Sequence, residues 1–114
     1  MKTGSQLIAD ERQRQIDEEG RSAELDDAYK PGTLTTAAIC YATVAGSGNE
    51  MRERIRNQAY LLGMPPNYWP WDREWWKPGQ DDSNASRIRE LTKAGALLAA
   101  EIDRLQRKSK REAF

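Results

Sequence analysis

The residues able to do chemistry in this sequence fall into three groups: one cysteine, a scatter of carboxylates, and a run of tryptophans beside cations. Histidine is absent and Cys40 is the only cysteine. Triads and histidine-ligated zinc sites therefore have no parts to build from. Cys40 lies in Ala37-Ala38-Ile39-Cys40-Tyr41-Ala42, where a thiol reads as a small core residue, and no imidazole exists to activate it. The Gly46-Ser47-Gly48 stretch lacks the lysine and the preceding strand of a phosphate-binding loop. Among carboxylates, Glu11, Glu18, Glu19 and Glu101 could collect a hard cation from facing helices, as all-α magnesium-dependent nucleotide pyrophosphohydrolases do. The paired acidic motifs of that class are missing, because Gly20 follows Glu18-Glu19 and Arg104 stands three positions after Glu101.

The third group is the most concentrated. All four tryptophans lie in Trp69-Pro70-Trp71-Asp72-Arg73-Glu74-Trp75-Trp76-Lys77-Pro78. Aromatic planes beside cations suit a flat anionic ligand: rings stack on it while Arg or Lys meets a phosphate. The candidate binding residues are Trp75, Trp76 and Lys77, with Arg12 and Arg14 from the first helix and Asp26 or Asp27 from the loop after it. Trp69 and Trp71, each next to a proline, read as core. Adjacent Trp75 and Trp76 cannot both face inward. No metal or cofactor is expected, and binding is favoured over catalysis.

These residues need elements to hold them. The chain has 114 residues, 38% hydrophobic and 32% charged, with 18 basic and 18 acidic side chains. That length makes one domain with an economical core, and zero net charge removes the basic field of a nonspecific nucleic-acid binder. No segment has the length of a membrane helix and no signal-peptide core opens the chain, so a reducing cytoplasm is expected. Helix signals place a first helix over 5–19, capped by Thr3 or Ser5 and closed by Gly20, then a loop over 21–32. A second helix over 33–45 carries Leu34, Ala38, Tyr41 and Ala45 on one face. A third over 50–62 shows Met51, Ile55, Tyr60 and Leu61 as its apolar points. Prolines 65, 66, 70 and 78 forbid a continuous helix through the aromatic segment, leaving one short turn within 72–77.

The last helix, over 85–108, is the clearest. Ile88, Leu91, Gly95, Leu98, Ile102 and Leu105 repeat at spacings of three and four, a heptad seam able to seat the tryptophans, another helix or a second copy. The expected fold is all-α: a small bundle of about four helices with the proline-rich aromatic segment packed on the C-terminal helix. Residues 1–108 form the domain, and 109–114 a basic, frayed tail. Self-association through the last helix is expected.

The order of these motifs carries a resemblance. Glu11-Arg12-Gln13-Arg14-Gln15-Ile16, Glu19-Gly20, Asp26-Asp27, Cys40-Tyr41-Ala42, Trp69-Pro70-Trp71-Asp72, Trp75-Trp76-Lys77-Pro78 and Lys93-Ala94-Gly95-Ala96-Leu97 through Leu105 resemble a family of small, uncharacterised phage and prophage proteins. Two positions depart from it: Arg21 stands where the family has tryptophan, and Leu25 where it has histidine. The resemblance implies a small anti-defence protein in the host cytoplasm. It would sequester a nucleotide signal or, alternatively, block a host protein through the tryptophan surface.

Overall fold

The computed structural model describes residues 1–113, and among them every regular element is helical. α1 spans Gly4–Glu19, α2 Ala23–Asp27, α3 Thr33–Gly46, α4 Asn49–Leu62 and α5 Asn84–Glu112, with a 3₁₀ turn at Arg73–Trp75. The protein is an all-α small bundle. No helix is long and apolar enough to cross a membrane among the described residues.

Local chemistry explains most boundaries. The Thr3 side chain accepts from Gln6 N–H while Gln6 reaches back to Thr3 N–H, a reciprocal cap that starts α1. Gly20 ends it with φ +67°, a left-handed geometry a side chain would disfavour. The stretch expected as loop after Gly20 contains α2. Ser22 caps Leu25 N–H, and Glu24 and Asp26 sit in the first turn, where the helix dipole favours them. At the other end the expected frayed tail is helical through Glu112; Arg111 reaches Asp27, and Lys108 lies 3.9 Å from Glu112. Phe114 lies outside the described residues.

α3 is the central element. It buries Leu34, Ala37, Ala38, Cys40, Tyr41 and Val44, and packs along α5 through Ala94, Leu97 and Ala100. Alanines on both surfaces let the two backbones approach closely, so little apolar volume is needed to fill the space. The expected face of α3 is therefore the observed one.

The other faces differ from the periodic reading, and the reason is buried charge. On α4, Ile55 packs against the core as expected, but Met51 and Tyr60 are about half exposed, Leu61 is largely exposed, and Arg52 is 0% exposed. Every donor of its guanidinium is used. It donates to Asp82, to both oxygens of Glu90, and to the carbonyls of Val44 and Asp81. Glu90, itself 1% exposed, also accepts from Gly79 N–H at 2.7 Å. One buried ion pair thus ties α4, the end of α3, the loop before α5 and α5 itself.

On α5 the buried face is Glu90, Ala94, Leu97, Glu101 and Arg104, again at spacings of four and three but one position away from the apolar seam. Ile88, Leu91, Leu98, Ile102 and Leu105 remain 44–57% exposed. Gly95 is the exception within that seam. A Cβ there would lie 2.5 Å from Ile8 Cδ1, so α1 crosses α5 where the side chain is missing.

Candidate functional site

The aromatic segment divides into floor and wall. Trp69 and Trp76 are buried against Tyr41 of α3, with ring centroids 5.7 and 4.8 Å from the Tyr41 ring and 5.0 Å from each other. The Tyr41 hydroxyl accepts from Lys77 N–H at 3.2 Å and donates to the Trp75 carbonyl at 3.4 Å. Burial pushes that hydroxyl up to about 12, so it keeps the proton it donates. This anchor turns Trp76 inward and Trp75 outward: Trp76 is 3% exposed and Trp75 47%. Trp71 lies between, edge-on to Trp69 at 5.4 Å, tilted against Tyr29 at 5.5 Å, and covered by the Arg21 guanidinium 4.1 Å from its centroid. Trp69 is core, as expected, whereas Trp71 is half-buried and lines the surface cleft.

That cleft has two parts. The inner end, about 40 Å³, is walled by Arg14 and Gln15 of α1, by Trp71 and Trp75, and by Lys77 and Lys93. It opens past Glu19, Arg21, Trp71 and Trp75 into an outer groove of about 500 Å³ that adds Leu25, Tyr29 and Pro70. The inner end has room for a small polar group and the outer groove for a ring system.

Charge in the inner end is graded. Arg14 grips Glu11 through two bonds of 2.8 Å and also pairs with Glu18 and Glu19. Arg89 adds a bond to Glu11 at 2.6 Å. Burial works to raise the Glu11 carboxyl, but its bonds to Arg14 and Arg89 outweigh that and hold it at about 2. These carboxylates are therefore already neutralised. Lys77 and Lys93 have no carboxylate within 4 Å among the described residues. Lys77 Nζ lies 5.9 Å from the Trp75 centroid, and Lys93 Nζ lies 5.2 Å from that of Tyr41, donating to the Lys77 carbonyl at 3.3 Å. Burial pulls the Lys93 ammonium down to about 8, with the Arg89 charge acting the same way. Gln15 Oε1 and Trp71 Nε1 are buried without a partner, and Arg21 Nε is reached only by Glu19 at 3.5 Å. Native interiors seldom leave polar atoms so, except where something else completes them.

Of the residues expected in a site, Arg14, Trp75 and Lys77 converge on the cleft. Trp76 does not; it belongs to the core, because Tyr41 fixes the backbone on either side of it. Arg12 pairs with the fully buried Asp26 at 3.2 Å and approaches Asp103 at 3.8 Å. Asp27 takes Arg107 and Arg111. Arg12, Asp26 and Asp27 therefore clamp α1 and α2 onto α5. The carboxylates considered for a cation are likewise spoken for: Glu11, Glu18 and Glu19 share Arg14, and Glu101 pairs with Arg104. Among the described residues no group of three acidic, cysteine or histidine residues is arranged to hold a metal ion.

Sequence reasoning missed Lys93, Arg21 and Trp71. Lys93 stands just before the small-residue turns of α5 and carries no signal beyond its charge. Arg21 follows the helix-ending Gly20 and, like Leu25, lines the outer groove. Comparison of the chain with protein-family models, curated proteins and solved structures returns no match.

Proposed function

We propose that this chain is a binding protein for a flat, anionic, nucleotide-like small molecule, held in the cleft between α1, α5 and the aromatic segment and not turned over. The observation that carries this reading is the juxtaposition of Trp75, half-exposed, with Lys77 and Lys93, two cations without a carboxylate partner. A ring stacked on Trp75 would gain roughly 1–3 kcal/mol. Its anionic group would meet the two lysines at the inner end, beside an Arg14 already engaged by carboxylates, and its polar edge could complete Trp71 Nε1 and Gln15 Oε1.

The resemblance to small phage proteins supports a biological setting for this activity: sequestration of a nucleotide signal of the host's defence, in the host cytoplasm. Arg21 and Leu25 bear on specificity, since both positions that depart from the family wall the outer groove. A second reading, inhibition of a host protein, draws on the same exposed Trp75, because tryptophan and arginine dominate protein-binding hot spots. The hydrolase reading draws less support, since Glu11, Glu18 and Glu19 are paired with Arg14 and Glu101 with Arg104.

The test is thermal unfolding against a panel of mono-, di- and cyclic nucleotides, with and without magnesium. Ligand at a hundredfold excess over Kd stabilises by about 2.7 kcal/mol, a rise of roughly 11 °C at the unfolding entropy of a chain this size. The expected result is a shift with one nucleotide class, lost in Trp75→Ala, with the nucleotide recovered intact. No shift across the panel would sink the nucleotide reading in favour of a host protein. Consumption of the nucleotide would establish an enzyme.

A further inference from the structure

The inner end of the cleft restricts its occupant more tightly than the outer groove does. Its back is core: Tyr41, Trp69 and Leu97 are 4%, 8% and 2% exposed. A group entering from the groove stops there and has no way through. The space is about 40 Å³, room for on the order of three waters and too little for a ring. That is the scale of the three terminal oxygens of a tetrahedral oxyanion.

The polar atoms around this space call for a particular mixture. Gln15, Lys77 and Lys93 wall the inner end and not the outer groove. The two lysines and Trp71 Nε1 are donors without an anionic partner. Against them stands one unpartnered acceptor, Gln15 Oε1, on a side chain 3% exposed. Its neighbour fixes which way this amide points. Gln15 Nε2 donates at 3.2 Å to Glu11, whose carboxyl is held at about 2 and has no proton to give. The remaining charges are matched: Arg14 pairs with Glu11 and Glu19, Arg21 reaches Glu19, and Tyr41 keeps its proton. A group that fills the inner end therefore needs negative charge, several acceptor oxygens and one hydrogen to donate.

Resting on the nucleotide reading above, we propose that the anion is a terminal phosphate monoester, bound with one proton that it donates to Gln15 Oε1. Its other oxygens accept from Lys77, Lys93 and Trp71 Nε1, while the ring stays on Trp75. Two related chemistries fail. A phosphodiester, cyclic or bridging, has carbon on both sides and needs an exit that the core closes; it also has no hydrogen to give. A sulfate ester has the same tetrahedral shape but no proton, which leaves Gln15 Oε1 unpaired. The lysines alone would favour the phosphate dianion, and the buried acceptor selects the monoanion.

The test compares ribonucleoside 5′-monophosphates with their own 5′-sulfates, phosphate methyl esters and 3′,5′-cyclic phosphates, by titration calorimetry on the full chain. At about pH 5.5, below the second phosphate pKa of about 6, monophosphate and sulfate carry nearly equal charge, and the proton is what separates them. A monophosphate should bind about tenfold or more tightly than its sulfate, methyl ester and cyclic form. Gln15→Met leaves Glu11 its bonds to Arg14 and Arg89 and should erase most of the preference over sulfate. A sulfate that matches the phosphate on the unaltered chain, or a preference undiminished in Gln15→Met, would overturn the donated proton. A methyl ester or cyclic form that matches it would overturn the closed end. Either result leaves the nucleotide reading standing, whereas binding by none of the series removes that reading and this inference together.

Discussion

Replacing Arg52 by methionine should be the most damaging single change on α4, although it keeps an unbranched stem and adds apolar surface. The guanidinium is 0% exposed and all of its donors are engaged, two of them by Glu90, which is 1% exposed. Methionine leaves Glu90 with only the Gly79 N–H and takes the guanidinium donors away from the carbonyls of Val44 and Asp81. Removing one member of a buried pair costs about 3–5 kcal/mol, because the remaining charge is stranded in low dielectric. With an unfolding entropy of about 2.1 cal/mol/K per residue, a chain of this length loses roughly 4 °C per kcal/mol. Arg52→Met should therefore lower the melting temperature by on the order of 12–20 °C. Adding Glu90→Gln, which keeps an acceptor for Gly79 but removes the charge, should restore about half of that. Arg56→Met, which shares only the partly exposed Asp82, should cost under about 1 kcal/mol. Calorimetry or a dye-based melt suffices. If Arg52→Met melts within 5 °C of the parent, or Glu90→Gln worsens it, the pair does not hold the bundle together.

Other expectations follow from the site and its frame. Trp75→Ala should leave the melting temperature within about 2 °C of the parent while weakening a responsive nucleotide roughly 5- to 150-fold. Trp76→Ala should cost about 3–5 kcal/mol of stability instead; equal effects of the two on stability would contradict the inward and outward assignment. Lys93 titrates near 8 in the free protein, so an anionic nucleotide should bind more weakly as pH rises through about 8, and Lys93→Met should flatten that profile. A slope unchanged in Lys93→Met would take Lys93 out of the site. Glu11 is depressed from 4.5 to about 2, so its contribution to stability is complete above about 4.5 and fades as pH falls towards 2. Glu11→Gln should lose stability at pH 7 and show a shallower acid limb in a pH series of melts. Gly95→Ala should destabilise despite the higher helix propensity of alanine, which is about 1 kcal/mol, because its Cβ meets Ile8 at 2.5 Å. Trimming Ile8 to Ala should reverse the sign, as differential melts of the single and double variants would reveal.

How much of this was legible beforehand differs by the kind of signal. Caps and breakers are local chemistry, so Thr3, Gly20, the prolines and the start of α3 were readable from neighbouring residues alone. α2 was readable too, in Ser22 followed by Glu24 and Asp26, but five residues carry no periodicity to notice. Burial was read from hydrophobicity, and it held for α3, where the apolar residues are the buried ones. It failed on α4 and α5, where a chain that is 32% charged and 38% hydrophobic fills its interior partly with paired ions. Arg52 and Glu90 are 38 positions apart, and nothing in either helix announces the other. Once they meet, they set the rotation of both helices: Glu90 must face Arg52, so the row one residue along, however apolar, turns to the outside. The same coupling explains which residues line the cleft. Trp75, Lys77 and Arg14 were legible as a class because aromatics beside cations have one chemistry wherever they fold. Lys93 and Arg21 come to line the cleft only through the tertiary contacts that rest them against Tyr41 and Trp71. Arg12 and Arg14 show the limit most sharply: two positions apart on one helix, they project to different sides, and only the placement of Asp26 separates the clamp from the cleft.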